Sequence, residues 1–222
     1  MKRGGVILPY VSYVNDSNKT YYNPSEYLQD GLIFQLDGVN KGDNPNGWTE
    51  LINGFVFPYN EHMFVENDGV VFESGNTCGI TSDFEFPLSG QIEVVCEKTY
   101  SNSFVICTAK GNNLMFSFYS QYCICVTATA NKTMPIRNIP NNTINSFSYN
   151  TSKQFINNIQ TISSVNNRFG INSNMITLGC RQTNNSYGYI GKICSIRVYN
   201  RQLTDGEVAY NYNVDKIRFN LK

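Results

Sequence analysis

The chain has 222 residues, 41% of them hydrophobic and 14% aromatic, with 17 Lys+Arg against 17 Asp+Glu. That length and apolar content suffice for one sizeable core and exclude a disordered chain. A formal net charge of zero without a basic block argues against nucleic acid as a partner, and no run reaches the roughly 18–20 apolar residues that membrane insertion as a helix needs.

In chain order, Met1-Lys2-Arg3 leads into a short apolar run interrupted by Pro9, Tyr10 and Tyr13, with no small-x-small cleavage site after it. Ile7, Leu8, Tyr10, Val11 and Tyr13 are read as an assembly arm, because each would expose apolar area if left in water. Asn23-Pro24-Ser25-Glu26 supplies an N-cap, a proline at the first helical position and an acid, with Gly31 as a stop. This spacing predicts a short helix over 24–30 and divides the chain into an arm at 1–26 and a domain at 27–222.

Leu32, Phe34 and Leu36 alternate as on one face of a strand, as do Leu114, Phe116 and Phe118, and Tyr122, Ile124 and Val126. Asparagines cluster between such runs, as in Asn141-Asn142-Thr143 and Asn166-Asn167, where their tolerance of left-handed backbone marks hairpin tips. In Ile190 to Tyr199, Cys194, Ile196 and Val198 share one face and Ser195, Arg197 and Tyr199 the other, which predicts a half-buried strand. Thr204 and Glu207 then stand at capping-box spacing, flanked by the staple pair Leu203 and Val208, and predict a short helix over 205–212.

The segment Gly191-Lys-Ile-Cys-Ser-Ile-Arg-Val-Tyr-Asn-Arg-Gln-Leu-Thr-Asp-Gly-Glu-Val208 closely resembles the C-terminal signature of laminin-G-like, concanavalin-type β-sandwiches. Asp30 to Gly38 resembles the opening strand of that family, and Trp48-Thr-Glu-Leu-Ile-Asn-Gly54 the segment that follows it. The resemblance implies an all-β fold, a two-sheet antiparallel jelly-roll sandwich, with Trp48 buried. Such domains are frequent in phage virion proteins and bacterial surface proteins, so it also implies a non-enzymatic head fibre or decoration protein. The implied partners are a capsid protein, further copies of the chain and a host-surface glycan. The alternatives are a carbohydrate-binding module of a bacterial surface system and a glycoside hydrolase.

Catalytic candidates are few. Glu93 and Glu97 would lie about 13 Å apart on an extended strand, beyond the spacing of a glycosidase pair, and read as a solvated face. Asp83 and Glu85 also read as exposed. His62, the one histidine, lies in no nucleophile motif and reads as a loop residue. Asp37, Asp43 and Asn44 offer hard oxygen ligands, so calcium is the cofactor the resemblance makes possible, though the spacing of an EF-hand loop is missing. Asn184, Asn185, Tyr187 and Tyr189 could stack on and hydrogen-bond a sugar ring. Seven cysteines without a Cys-x-x-Cys pair disfavour structural zinc and read as reduced thiols, hence folding in a host cytoplasm before incorporation into a virion.

Overall fold

The computed structural model describes residues 26–73, 79–82, 84, 90–98, 103–108, 115–119, 122–127, 130–135, 139–150, 152–163, 175–180 and 188–222. The first strands are β1 (Leu32–Asp37), β2 (Gly47–Thr49), β3 (Val56–Pro58), β4 (Met63–Glu66), β5 (Gly69–Phe72) and β6 (Gly79–Ser82). They are followed by β7 (Gln91–Glu97), β8 (Ser103–Thr108), β9 (Met115–Tyr119), β10 (Tyr122–Thr127) and β11 (Ala130–Pro135). The last strands are β12 (Ile144–Asn150), β13 (Lys153–Ile156), β14 (Ile159–Ser163), β15 (Met175–Leu178) and β16 (Gly191–Tyr199), and helix α1 (Asp205–Arg218) closes the order.

One sheet runs β14-β13-β12-β7-β16-β5-β4, with β1 also paired to β16; a second runs β11-β10-β9-β8-β15-β6; β2 and β3 form a small third. Every pairing among the described strands is antiparallel. The two large sheets bury one core between them. The first contributes Phe34, Leu36, Ile92, Val94, Phe147, Tyr149, Ile196 and Val198, and the second Val105, Ile106, Phe116, Phe118, Ile176 and Leu178. This is the all-β sandwich that the family resemblance implies, built of strands that alternation predicts.

Turn chemistry follows the asparagines. The described non-glycine residues with positive φ are Asn142, Asn157, Asn158 and Asn220, at 55, 48, 63 and 51°. Asn157-Asn158 is a two-residue turn between the paired Ile156 and Ile159, a geometry that needs left-handed backbone at both positions. Asn142 lies at one of the expected tips; Asn166-Asn167 is outside the described residues.

Two bulges overrule simple alternation. One between Ile193 and Ser195 turns Cys194 away from Ile196 and into a separate cluster with Val95, Phe219 and Leu221. Another, between Leu32 and Phe34, sends Leu32 toward Tyr199, Leu203 and Val208 instead of the inner core. An extra residue on one strand reverses the facing of everything before it.

The segment around Trp48 is built on Glu50. Its carboxylate accepts from the backbone amides of Gln35 at 2.6 Å, Ile52 at 3.0 Å and Asn53 at 2.6 Å, and Trp48 Nε1 donates to the Asp37 carbonyl at 3.0 Å. Trp48 and Glu50 are both fully buried, and Gly54, at φ 77°, closes the turn onto the Glu50 carbonyl. These hydrogen bonds account for the residue types in that segment: a buried carboxylate persists because four donors, counting Asn53 Nδ2, satisfy it.

Helix α1 begins as the spacing predicts. Glu207 N–H donates to Thr204 Oγ1 while Thr204 N–H donates to Glu207 Oε2, and the staple residues Leu203 and Val208 share a buried cluster. It runs six residues beyond 212, however, to Arg218, and ends in a Schellman turn with Asn220 left-handed and Leu221 N–H on the Lys216 carbonyl. Of the expected helix over 24–30, Glu26 lies in a 3-10 turn and the rest of the described part is not helical. Tyr27 to Gln29 are irregular, because Tyr27 is drawn beneath α1 and the Leu28 amide is taken by Asn211 Oδ1 at 3.1 Å.

Arg201 grips Glu207 through two nitrogens, at 2.7 and 3.0 Å, and these bonds, with those from Thr204, hold the carboxyl at about 2. A depressed carboxyl stabilises the fold above its ordinary value near 4.5 and ceases to as pH falls through about 2. The stability gap between wild type and Glu207→Gln should therefore shrink over that window in urea titrations. Thr204→Ala should cost about 1 kcal/mol at neutral pH.

Candidate functional site

The outer face of the first sheet carries a row of polar side chains on every second residue. Ser148 on β12 stands opposite Glu93 on β7, Glu93 opposite Arg197 on β16, and Arg197 opposite Gln35 on β1. The rows to either side are Ser146, Val95, Ser195 and Asp37, and Asn150, Gln91, Tyr199 and Leu32. Helix α1 lies across them and presents Val208, Asn211, Asp215 and Arg218, three or four apart and hence on one face.

The two patterns interlock. Arg197 donates from Nη1 and Nη2 to Asp215 at 2.8 and 2.7 Å, and from Nε to Glu93 at 3.0 Å. Asp215 also accepts from Ser146 Oγ at 3.0 Å and from the Tyr27 hydroxyl at 2.8 Å, while the Tyr27 ring lies 3.9 Å from the Arg197 guanidinium. Asn211 Nδ2 bridges Glu93 and the Tyr199 hydroxyl, and Arg218 pairs with Asp37. Burial pushes the Glu93 carboxyl up, against the pull of Arg197 and Asn211. Burial alone would lower Arg197, yet Asp215 holds it well above its ordinary value.

This cluster holds the ingredients of glycosidic chemistry, two carboxylates, an arginine and two tyrosines, but it is closed. Glu93 is 2% exposed, and Arg197 and Asp215 are 0%. Each carboxylate is already hydrogen-bonded by three or four donors. Its chemistry is that of an anchor holding α1 to the sheet.

Several expectations are corrected by this arrangement. Glu93 does not face solvent, and β16 is buried on both faces, because α1 covers the side that alternation alone would leave wet. Glu97 is partly buried and accepts from the Lys192 amide at 3.1 Å. Asp37 does not offer free ligand oxygens: its carboxylate is taken by Arg218 and by the amides of Val39 and Asn40. Asp43 is exposed and Asn44 caps the Asn46 amide, so the loop does not gather the three together. Among the described residues no group of three or more His, Cys, Asp or Glu is placed to hold a metal ion.

Tyr189 is no sugar platform. It is fully buried between the sheets, 6.1 Å from the ring of Phe72, and its hydroxyl lies 2.7 and 3.0 Å from the Glu97 and Lys192 carbonyls. Asn184, Asn185 and Tyr187, like Asp83, Glu85 and the arm residues Ile7, Leu8, Tyr10, Val11 and Tyr13, lie outside the described residues. His62 is an exposed turn residue beside Glu61. Cys96 and Cys194 are free and buried, as expected of core thiols, whereas Cys180 is disulfide-bonded and departs from the reading of the cysteines as mostly reduced.

The sequence signal for the anchor was present in two halves. Ser195, Arg197 and Tyr199 repeat every two residues, and Asn211, Asp215 and Arg218 repeat at helical spacing. Each alone reads as a solvated face; only their complementarity in charge marks them as partners.

No protein-family model matches this chain, and no curated protein is similar to it in sequence. Among solved structures it is similar to Trypanosoma rangeli sialidase in complex with sialic acid, at a TM-score of 0.65 and 10% identity over 85% of this chain and 33% of that one. It is also similar to the receptor binding domain of botulinum neurotoxin D, at 0.63 and 10% over 84% and 53%. A further chain described as a receptor binding domain matches at 0.62 and 15% over 88% and 53%. The chain thus spans about a third to a half of the structures it resembles. Likeness at this identity defines the fold alone: an antiparallel β-sandwich.

Proposed function

We propose that the chain is a non-enzymatic adhesion module of a phage virion, a head fibre or decoration protein whose sandwich at 27–222 faces outward and whose arm at 1–26 docks on the particle. The observation that carries the non-enzymatic part is the closed cluster beneath α1. The acids that pair in space, Glu93 and Asp215, are consumed in holding the helix, on a fold shared with receptor-binding domains. The virion placement rests on the sequence resemblance. Host-surface glycan is the proposed ligand, other virion proteins and further copies of the chain the proposed assembly partners, and calcium at the 37–44 loop is not part of the proposal.

A second reading, a carbohydrate-binding module at a bacterial cell surface, is favoured by the disulfide at Cys180, since disulfides persist in oxidising compartments. Antibody to the chain distinguishes the two: it should label purified phage particles in the first case and the bacterial envelope in the second.

The functional test is binding without turnover. The 222-residue chain on an array of sialylated oligosaccharides and bacterial capsular polysaccharides should retain at least one glycan. Reducing-sugar assays on the same panel should stay at background. Release of sugar that Glu93→Gln or Glu97→Gln abolishes would replace this reading with a glycoside hydrolase.

A further inference from the structure

Strand β4 is the outermost strand of the first sheet: β5 is its partner on one side, and no described strand lies on the other. Alternate residues of an edge strand turn their N–H and C=O groups outward, where they can template another strand. Edge strands are usually protected by charge or proline. Here Phe64 and Val65, in the middle of the strand, are instead 46% and 53% exposed. The alternation places Phe64 on the α1 side and Val65 on the core side, so the strand offers apolar surface on both faces.

The surroundings of this edge are acidic. Glu61, Glu66 and Glu73 are exposed around it, with Asp68 on the adjoining turn. Two cations lie beside them: Lys192 is paired with Glu66 at 2.8 Å and Asp68 at 2.9 Å, which hold its ammonium above the ordinary range although burial alone would lower it, and Lys41 donates to the Gly38 carbonyl and, at 3.4 Å, to the Asn67 carbonyl. An apolar strand edge in an acidic rim fits an apolar segment that carries positive charge.

The N-terminal arm is such a segment. Lys2-Arg3 and two glycines precede Val6-Ile7-Leu8, and Val11 and Val14 follow. The 25 residues before Glu26 span up to about 80 Å when extended, whereas a domain of this size is about 45 Å across. That length reaches past its own domain. We infer that residues 2–14 of a second copy of this chain add to β4 by strand pairing, with Lys2 and Arg3 against the acidic rim and the apolar run against Phe64 and Val65. Reciprocal exchange closes a symmetric oligomer in which each copy covers its neighbour's edge. The inference deepens the assembly half of the proposed function and is independent of any glycan.

The test uses the full chain in light scattering after gel filtration. Wild type should be oligomeric. Val65→Lys, Phe64→Lys and deletion of residues 2–14 should each be monomeric and should still melt cooperatively, because the altered side chains lie outside the domain's own core, with a melting temperature lowered only by the stabilisation that assembly adds. A fluorescent peptide of residues 1–14 should bind the deleted protein and bind its Val65→Lys version at least tenfold more weakly. A monomeric wild type, an oligomer that survives both edge substitutions, or equal peptide binding to both proteins overturns the inference. Glycan binding by the monomeric variants separates the two ideas, since adhesion then stands or falls without assembly.

Discussion

Arg197→Leu is expected to lower stability by about 3–5 kcal/mol, the cost of breaking a buried ion pair and stranding its partners. The leucine would leave both Glu93 and Asp215 in a space with no access to water, facing each other without the guanidinium that lies between them. For a chain of this length, that corresponds to a fall of about 6–20 °C in the melting temperature. Glu93→Gln should cost less, about 2 kcal/mol, because the amide keeps the shape but loses a charge-assisted bond to Arg197. Glu97→Gln, at a partly exposed position, should stay near 0.5 kcal/mol. Equal effects of the two glutamate substitutions in denaturant titrations would show that α1 does not seal the cluster.

Tyr27→Ala should cost about 3–5 kcal/mol, as for other large aromatic truncations in a core. Its ring lies against Arg197 and within 5.4 Å of Arg218, and its hydroxyl bonds Asp215. Two neighbouring contacts tie the same stretch to α1: the Leu28 amide on Asn211, and the Tyr210 hydroxyl on the Glu26 carbonyl. Tyr27→Phe should lose only the hydroxyl bond, about 1.5–3 kcal/mol for a bond to a charged group. Hydrogen exchange gives a second readout. In Tyr27→Ala, amides of α1 should exchange faster than those of β7, which is held from both sides by β12 and β16. Uniform acceleration across both would mean that Tyr27 supports the whole core and not the helix.

Local chemistry in the sequence determines the elements with local causes. The capping box at Thr204 and Glu207 declares itself because its donors and acceptors lie three residues apart. The asparagine turns do so because left-handed backbone is a property of the residue. The inner faces of β1, β7, β9 and β16 follow from two-residue alternation, since a sheet with an apolar core demands it. The buried Trp48 and the sandwich itself are implied by the resemblance of two segments to a known family, and Glu50 gives the physical reason for one of them by collecting four donors within its own turn and the neighbouring strand.

Tertiary structure alone decided which polar faces meet water. Arg197 and Asp215 are 18 residues apart, Glu93 and Arg197 104 apart, and Tyr27 and Asp215 188 apart. Nothing within a strand or helix shows that a charged row on one will be neutralised by a charged row on another. A polar stripe on α1 looks solvated until the sheet beneath it is seen to carry the opposite charges. The same cause hid the true length of α1, whose buried face turns polar after Val208, and the burial of Glu93. Bulges had a similar effect on Leu32 and Cys194: one inserted residue changes the face, and the sequence pattern carries no mark of where the pairing partner lacks one.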